Sequence, residues 1–264
     1  NTNSVFALYD LQSQSQEPGH LWRFQTNAGK TEDEFAAALT ELFRANDLNM
    51  ADVEHIFIAS VVPDADFAMA KLARNYFGCE PVFFKQELFN LDIAIDLERP
   101  SELGADRLLN AIAVREKYGS PAIVIDFGTA TTFDVLKQGT ERDVYAGGII
   151  APGVNLSLKA LHDAAAKLPH IEVKAPENII GRNTVSAMQS GVYWGYVSMI
   201  EGLIKRLQDD LGAKSQIIMT GGLAPLFAKG LSFEAKTDQS LTLYGMKYLF
   251  DQNRTAFDKQ SEAA

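Results

Sequence analysis

Residues 122–126 read Ala-Ile-Val-Ile-Asp, an unbroken apolar run that ends in a carboxylate. A strand with no polar alternation is buried on both faces. An acid at its end therefore sits where the sheet meets solvent and a ligand can reach it. The next residues, Phe127-Gly128-Thr129-Ala130-Thr131-Thr132, turn the chain back. Gly128 lets backbone come close to a ligand, and the hydroxyls of Thr129, Thr131 and Thr132 add donors. Such a turn is a nest suited to phosphate, and Asp126 is placed to hold a cation that neutralises it. A plain β-hairpin with strand-favouring threonines satisfies the same residues, so the motif needs company.

Strand and helix patterns alternate along the chain. Ser4–Asp10 and Leu21–Gln25 read as two strands joined through a Pro18-Gly19 turn. Thr31 caps a helix with Glu34 as its capping-box partner, and Phe35, Leu39, Leu42 and Phe43 form its apolar stripe. Further strands are expected at His55–Ser60, Pro81–Phe84, Thr131–Lys137, Val144–Ala151 and Gln216–Met219. Helices are expected at Asp64–Phe77, Ser101–Tyr118, 153–166, 183–211, Gly222–Lys229 and Leu241–Asn253. Alternation in both halves gives the α/β class. Each half opens with a strand and a hairpin return beside a polar turn. The first half shows only the end of its turn, Asn1-Thr2-Asn3. Two directly packed domains are expected, 1–118 and 119–264, with the boundary near 116–122.

Three more segments carry potential chemistry. Gly104-Ala105-Asp106-Arg107 opens a helix, where an acid is favoured by the helix dipole. The functional reading makes Asp106 a general base for a hydroxyl and Arg107 a bidentate anion ligand. Gly147-Gly148-Ile149-Ile150-Ala151-Pro152-Gly153 places glycines in a strand, as at a bulge or a ligand approach. Met219-Thr220-Gly221-Gly222 breaks a buried strand into a helix, a place for a nucleotide against backbone. Neither a Walker A loop nor a G-x-G-x-x-G loop is present. Trp22 and Trp194 read as core residues.

Composition excludes other classes. The 264 residues carry a formal charge of −10, which disfavours nucleic acid and anionic lipid as partners. Cys79 is the single cysteine, so no internal disulfide forms, and a reducing cytoplasm is expected. That thiol and four scattered histidines, His20, His55, His162 and His170, make no zinc pattern. No run approaches the ~20 apolar residues of a membrane span. Asn1-Thr2-Asn3-Ser4 has neither the basic nor the apolar region of a signal peptide.

The ordered set resembles the type III pantothenate kinases. It comprises Asn1-Thr2, Gly104-Ala105-Asp106-Arg107, Asp126-Phe127-Gly128-Thr129-Ala130-Thr131, Gly147–Gly153, Gly181-Arg182-Asn183-Thr184 and Thr220-Gly221-Gly222, with Leu241-Thr242-Leu243-Tyr244-Gly245 similar to the family's closing segment. The resemblance spans nearly the whole chain. It implies the fold of the acetate/sugar kinase–Hsc70–actin superfamily, two ribonuclease-H-like domains with mixed sheets around a nucleotide cleft. It also implies transfer of a phosphoryl group from ATP to the 4′-hydroxyl of pantothenate, with Mg²⁺ and a monovalent cation, K⁺ or NH₄⁺, in a homodimer. On this basis Asp106 is the expected base, and Gly104, Ala105 and Arg107 are pantothenate contacts. Thr184 contacts pantothenate from the partner subunit. Asp126 is a cation ligand. Asn1, Thr2, Gly128, Thr129, Thr131, Thr132, Gly221 and Gly222 are phosphate or nucleotide contacts. The family's opening motif is Asp-x-Gly-Asn-Thr, so its aspartate and glycine would precede Asn1. Where the family commonly has a tyrosine, this chain has Leu97. Two alternatives stay open: a kinase of the same superfamily with another substrate, and a non-catalytic regulatory relative.

Overall fold

The computed structural model describes residues 3–13, 15–27, 29–164 and 168–254. Asn1 and Thr2 lie outside them. The chain divides into two compact units. One comprises Asn1–Leu91, Ser101–Leu109 and Leu243–Ala264, and the other Asp92–Pro100 and Asn110–Thr242.

The first unit begins with an antiparallel pair, β1 (Asn3–Leu8) and β2 (His20–Gln25), with Asn3 opposite Gln25 and Leu8 opposite His20. Helix α1 (Glu32–Ala45) follows. Its N-terminus carries the expected capping box: Glu34 N–H donates to Thr31 Oγ1, and Thr31 N–H donates to Glu34 Oε2 at 2.8 Å. The buried face of α1, with Phe35, Ala36 and Leu39, packs against Leu72, Phe6, Trp22 and Phe24. β3 (Phe57–Ile58) and β4 (Val82–Phe83) form a separate parallel pair. They bracket α2 (Pro63–Leu72), which is prolonged by a π-turn over Ala73–Phe77. These strands are shorter than the sequence pattern predicts. Pro63 starts a helix soon after β3, and Pro81 has no N–H to donate ahead of β4.

The second unit is built on one six-stranded mixed sheet. Its strands are β5 (Ala94–Ile95), β6 (Ala122–Phe127), β7 (Ala130–Lys137), β8 (Val144–Pro152), β9 (Gln216–Gly221) and β10 (Lys236–Thr237), in the spatial order β10-β9-β6-β7-β8-β5. β6, β7 and β8 form an antiparallel meander, and β9 joins β6 in parallel on its other side. This is the order expected of a ribonuclease-H-like half. It explains why β6 has no polar alternation: it has a strand on each side, and four of its six residues are 0% exposed.

Helices α4 (Val154–Ala164), α5 (Thr184–Leu211) and α6 (Ala224–Ala228) complete this unit's own elements. α5 starts at an Asn183 cap, whose side chain accepts from Ser186 N–H, and ends on Gly212 at φ 63°. One face of β6 and β7, with Ile123, Ile125, Phe127 and Phe133, packs against Tyr193, Tyr196, Val197 and Ile200 of α5 and Phe227 of α6. Phe227 stacks on Phe127 with ring centroids 5.2 Å apart and planes 4° from parallel.

Helix α3 (Ala105–Tyr118) leaves the first unit after Leu109, and α7 (Leu241–Gln252) enters it after Thr242. The start of α3 differs from the Ser101 start that the sequence pattern predicts. Residues Pro100–Glu102 form a separate 3-10 turn. Gly104 then supplies the carbonyl for the first helical bond, from Leu108 N–H at 3.2 Å. Gly104 is therefore the cap, and Asp106 stands in the first turn of the helix. Among the described residues no helix is long and apolar enough to cross a membrane.

Candidate functional site

In the second unit, Asp126 is the penultimate residue of β6 and lies opposite Thr132 on β7 and Thr220 on β9. Opposed residues in adjacent strands project to the same face, so Asp126 and Thr132 share a side of the sheet. Asn110 of α3 covers that side. Its Nδ2 donates to Asp126 Oδ2 at 3.2 Å, and Thr242 Oγ1 donates to Asn110 Oδ1 at 2.6 Å.

The turns on either side of Asp126 are tight enough to require glycine. Gly221 has φ +86°, and a Cβ there would stand 2.6 Å from Phe127 O and 2.8 Å from Asp126 Oδ1. A Cβ on Gly153 would stand 2.1 Å from Thr129 O and 2.9 Å from Gly128 O. The turn after β6 is closed by Gly128 N–H donating to Ala130 O at 3.0 Å. Gly128, Thr129 and Gly222 are exposed, and Gly221 is half-buried. Phosphate-sized ligands can therefore reach these backbone groups.

Thr131 does not join this group. It shares its side of β7 with Phe133, toward the packed core; it is 0% exposed, and its Oγ1 has no partner among the described residues. The alternation of strand side chains puts only one of two successive threonines on the Asp126 face. Thr184 opens α5 and lines an apolar groove of about 830 Å³ with Pro152, Leu161, Met188, Val192 and Tyr196.

On the Asp126 face lies a network that the motif reading missed. Asp134 is 1% exposed; Tyr145 Oη donates to its Oδ1 at 2.6 Å and Thr132 Oγ1 donates to its Oδ2 at 3.3 Å. Buried carboxylates are retained only when hydrogen-bonded. The signal in the sequence was an acid at i+2 from Thr132 inside an otherwise apolar strand. Asn110 gave a comparable signal, a polar residue between Leu109 and Ala111 in an apolar helix face.

In the first unit, Gly104, Ala105, Asp106 and Arg107 form the start of α3. Asp106 is exposed and its Oδ1 accepts from Arg107 N–H at 2.9 Å. A Cβ on Gly104 would meet that same oxygen at 2.6 Å. The carboxylate thus folds back over its own glycine.

The donor set around Asp126 fits a hard cation. It offers one carboxylate with threonine hydroxyls nearby, and no group of three or more His, Cys, Asp or Glu among the described residues could cage a metal. Mg²⁺ is commonly held in this way, through one or two carboxylates plus water and substrate phosphates.

A family model described as Type III pantothenate kinase matches residues 1–206. The "Type III pantothenate kinase" of Paramagnetospirillum magneticum is 48% identical over 255 residues, covering 97% of this chain and 95% of that protein. The protein of the same description from Rhodospirillum rubrum is 47% identical, covering 96% of each. That from Geobacillus kaustophilus is 42% identical, covering 96% of this chain and 95% of that protein. Among solved structures, a "Baf family transcriptional activator" from Campylobacter jejuni aligns with a TM-score of 0.57 at 19% identity, covering 89% of this chain and 92% of that one. At that identity the likeness is one of fold.

Proposed function

Because this chain belongs to the type III pantothenate kinase family, we propose a division of labour in which the Asp126 group serves the phosphates of ATP and the start of α3 serves pantothenate. The reaction is ATP-dependent phosphorylation of pantothenate, the first step of coenzyme A synthesis. The observation that carries the assignment is the strand-end carboxylate of Asp126, set against Gly221 and held by Asn110.

Phosphoryl transfer asks a protein for positioning and charge stabilisation rather than covalent chemistry. The Gly128–Thr129 and Gly221–Gly222 turns bring backbone close to the phosphates, and Thr132, whose hydroxyl donates to Asp134, lines the Asp126 face beside them. Asn1 and Thr2 belong to the same phosphate set, and Thr131 supports its strand from the core side. Mg²⁺, with K⁺ or NH₄⁺, supplies positive charge that offsets the phosphate oxygens, and Asp126 is the residue that would hold it. Arg107 pairs with the carboxylate of pantothenate through its planar fork, while Gly104 and Ala105 bring backbone close to it. Asp106 takes the proton of the 4′-hydroxyl. Its Oδ1 already accepts from Arg107 N–H, so Oδ2 is the oxygen assigned to that proton. A bond forms between the hydroxyl oxygen and the γ-phosphorus, and the bond from that phosphorus to the β,γ-bridging oxygen breaks. ADP leaves.

The reading includes a homodimer in which Thr184 reaches pantothenate bound by the partner copy. Its support is the exposed position of Thr184 on an apolar groove along α5. The test is an ADP-release assay with pantothenate, acetate and a hexose as acceptors, in K⁺ and then in Na⁺. Release that depends on pantothenate and is faster in K⁺ supports the assignment. Equal release with all acceptors overturns it.

A further inference from the structure

Tyr196 of α5 is buried, and its ring packs near Phe227 with centroids 5.9 Å apart. Its hydroxyl donates to Pro152 O at 2.8 Å, and Ser157 Oγ lies 2.7 Å from the same Oη. A carbonyl oxygen has no proton to give, so the single proton of Tyr196 goes to Pro152. Oη is then an acceptor toward Ser157, whose hydroxyl supplies the proton of the second bond. Ser157 N–H also donates to Gly153 O at 2.9 Å. Tyr196 and Ser157 thus fasten two successive carbonyls, those of Pro152 and Gly153.

This corner abuts the turn after β6. Pro152 ends β8 opposite Ala130, the first residue of β7. Gly153 is buried and packs so closely on the turn that a Cβ there would stand 2.1 Å from Thr129 O and 2.9 Å from Gly128 O. Close-packed groups transmit displacement to one another, so a shift of Pro152–Gly153 is felt by the backbone of Gly128–Thr129. Proline brings no N–H to the strand ladder, which leaves the end of β8 more dependent on the side-chain bond to its carbonyl. Pro152, Ser157 and Tyr196 also line the groove at which Thr184 opens α5, so the corner borders both the groove and the turn.

We infer that Tyr196, with Ser157 bonded to its hydroxyl, is a positioning residue that sets the Gly128–Thr129 turn for the phosphates of the nucleotide. The inference rests on the reading of that turn as a phosphate contact. A tyrosine that merely fills the core would, on losing its hydroxyl, lower stability and leave nucleotide affinity in the folded protein unchanged.

The test is calorimetric binding of a non-hydrolysable ATP analogue with Mg²⁺ to the full chain, beside KM for ATP and for pantothenate. Tyr196→Phe, Ser157→Ala, Tyr193→Phe and Gly128→Leu are compared with the parent at a temperature where each is folded. Tyr193 is the control, a buried tyrosine of the same helix that also stacks on Phe227 but whose hydroxyl stands against Gly230. Gly128→Leu tests the turn itself, since a Cβ there meets nothing nearer than Ala130 O at 3.5 Å and the longer side chain obstructs the approach of phosphate. The expected result is a loss of nucleotide affinity of ~3–10-fold in Tyr196→Phe, the effect of one hydrogen bond. A loss in the same direction is expected in Ser157→Ala, and parental affinity in Tyr193→Phe. KM for ATP should rise in Tyr196→Phe while KM for pantothenate holds. Ser157→Ala carries the test alone if Tyr196→Phe does not fold. Weakened binding in Gly128→Leu with affinity within about twofold of the parent in the Tyr196 and Ser157 variants overturns the inference and leaves the phosphate reading of the turn standing. Parental affinity in Gly128→Leu overturns both. An equal loss in Tyr193→Phe, or a rise in KM for pantothenate as large as that for ATP, overturns the positioning role of Tyr196.

Discussion

Asn110 donates its side-chain N–H to Asp126 Oδ2 across 3.2 Å, joining a helix residue with no solvent exposure to the acid at the end of the central strand. This bond leads to the first prediction. In Asp126→Asn the substituted amide satisfies Asn110 by turning its oxygen toward it, which points its own N–H₂ at the cation position. The fold is kept and the site becomes repulsive. kcat should fall on the order of 10²–10³-fold, with the melting temperature nearly unchanged, as steady-state kinetics and calorimetry on the same samples would show.

Asp106→Asn removes the proton acceptor and keeps the shape. We expect kcat to fall ~10²–10⁴-fold with KM for pantothenate little changed. A near-parental kcat would remove Asp106 from the role of base.

Gly104→Ala tests the same carboxylate from behind. The added Cβ would lie 2.6 Å from Asp106 Oδ1, so the side chain must swing away. The predicted outcome is a loss of kcat approaching that of Asp106→Asn, in a protein whose unfolding midpoint in urea is close to that of the parent. A parental kcat in this variant would show that the folded-back carboxylate position is not the working one.

Phe227→Ala links core packing to the site. Phe227 is 0% exposed and stacks on Phe127, the neighbour of Asp126, and on Tyr193, with centroids 5.2 Å and 5.5 Å away. Truncation should cost ~3–5 kcal/mol, measured by denaturant unfolding. A cost below about 1 kcal/mol would mean that the stack is not what fastens α6 and α5 to β6.

The motifs were legible because each depends on a backbone requirement that few residues meet. Gly221 at φ +86° and Gly153 against Thr129 O are positions where any other residue collides, and the order of such glycines marks the turns directly. The Thr31–Glu34 box and the apolar run of β6 were readable for the same reason, since a local rule determines them. Asn110 and Thr242 were not readable as a pair, because they meet only after the chain between them has folded. Asp134 and Tyr145 were hidden likewise across two strands. β5 and β10 have two residues each, too few for a period, and they exist because a neighbouring strand offers hydrogen bonds. The threonines of the turn read as one set, yet the alternation of β7 sends Thr131 to the core and Thr132 to the Asp126 face.

Alkaline stability supplies a further prediction. The hydroxyls of Tyr9 and Tyr118 are pushed up from 10.0 to about 12, Tyr9 by burial and then by Glu17, and Tyr118 by burial and then by its hydrogen bond to Asp238. Below pH 10 both states hold these protons and the contribution to stability is complete. Between about pH 10 and pH 12 the unfolded chain releases them first, so stability falls as pH rises. Melting temperature followed across that window should drop, and Tyr118→Phe should make the drop shallower. An identical slope in that variant would contradict the assignment.

Phosphorus NMR of the protein mixed with ATP and pantothenate tests the central claim most directly. The account predicts a new phosphate-ester signal that grows in step with ADP, requires pantothenate, and is nearly abolished in Asp106→Asn. ADP accompanied only by inorganic phosphate, or ester formation at the parental rate in Asp106→Asn, would contradict it.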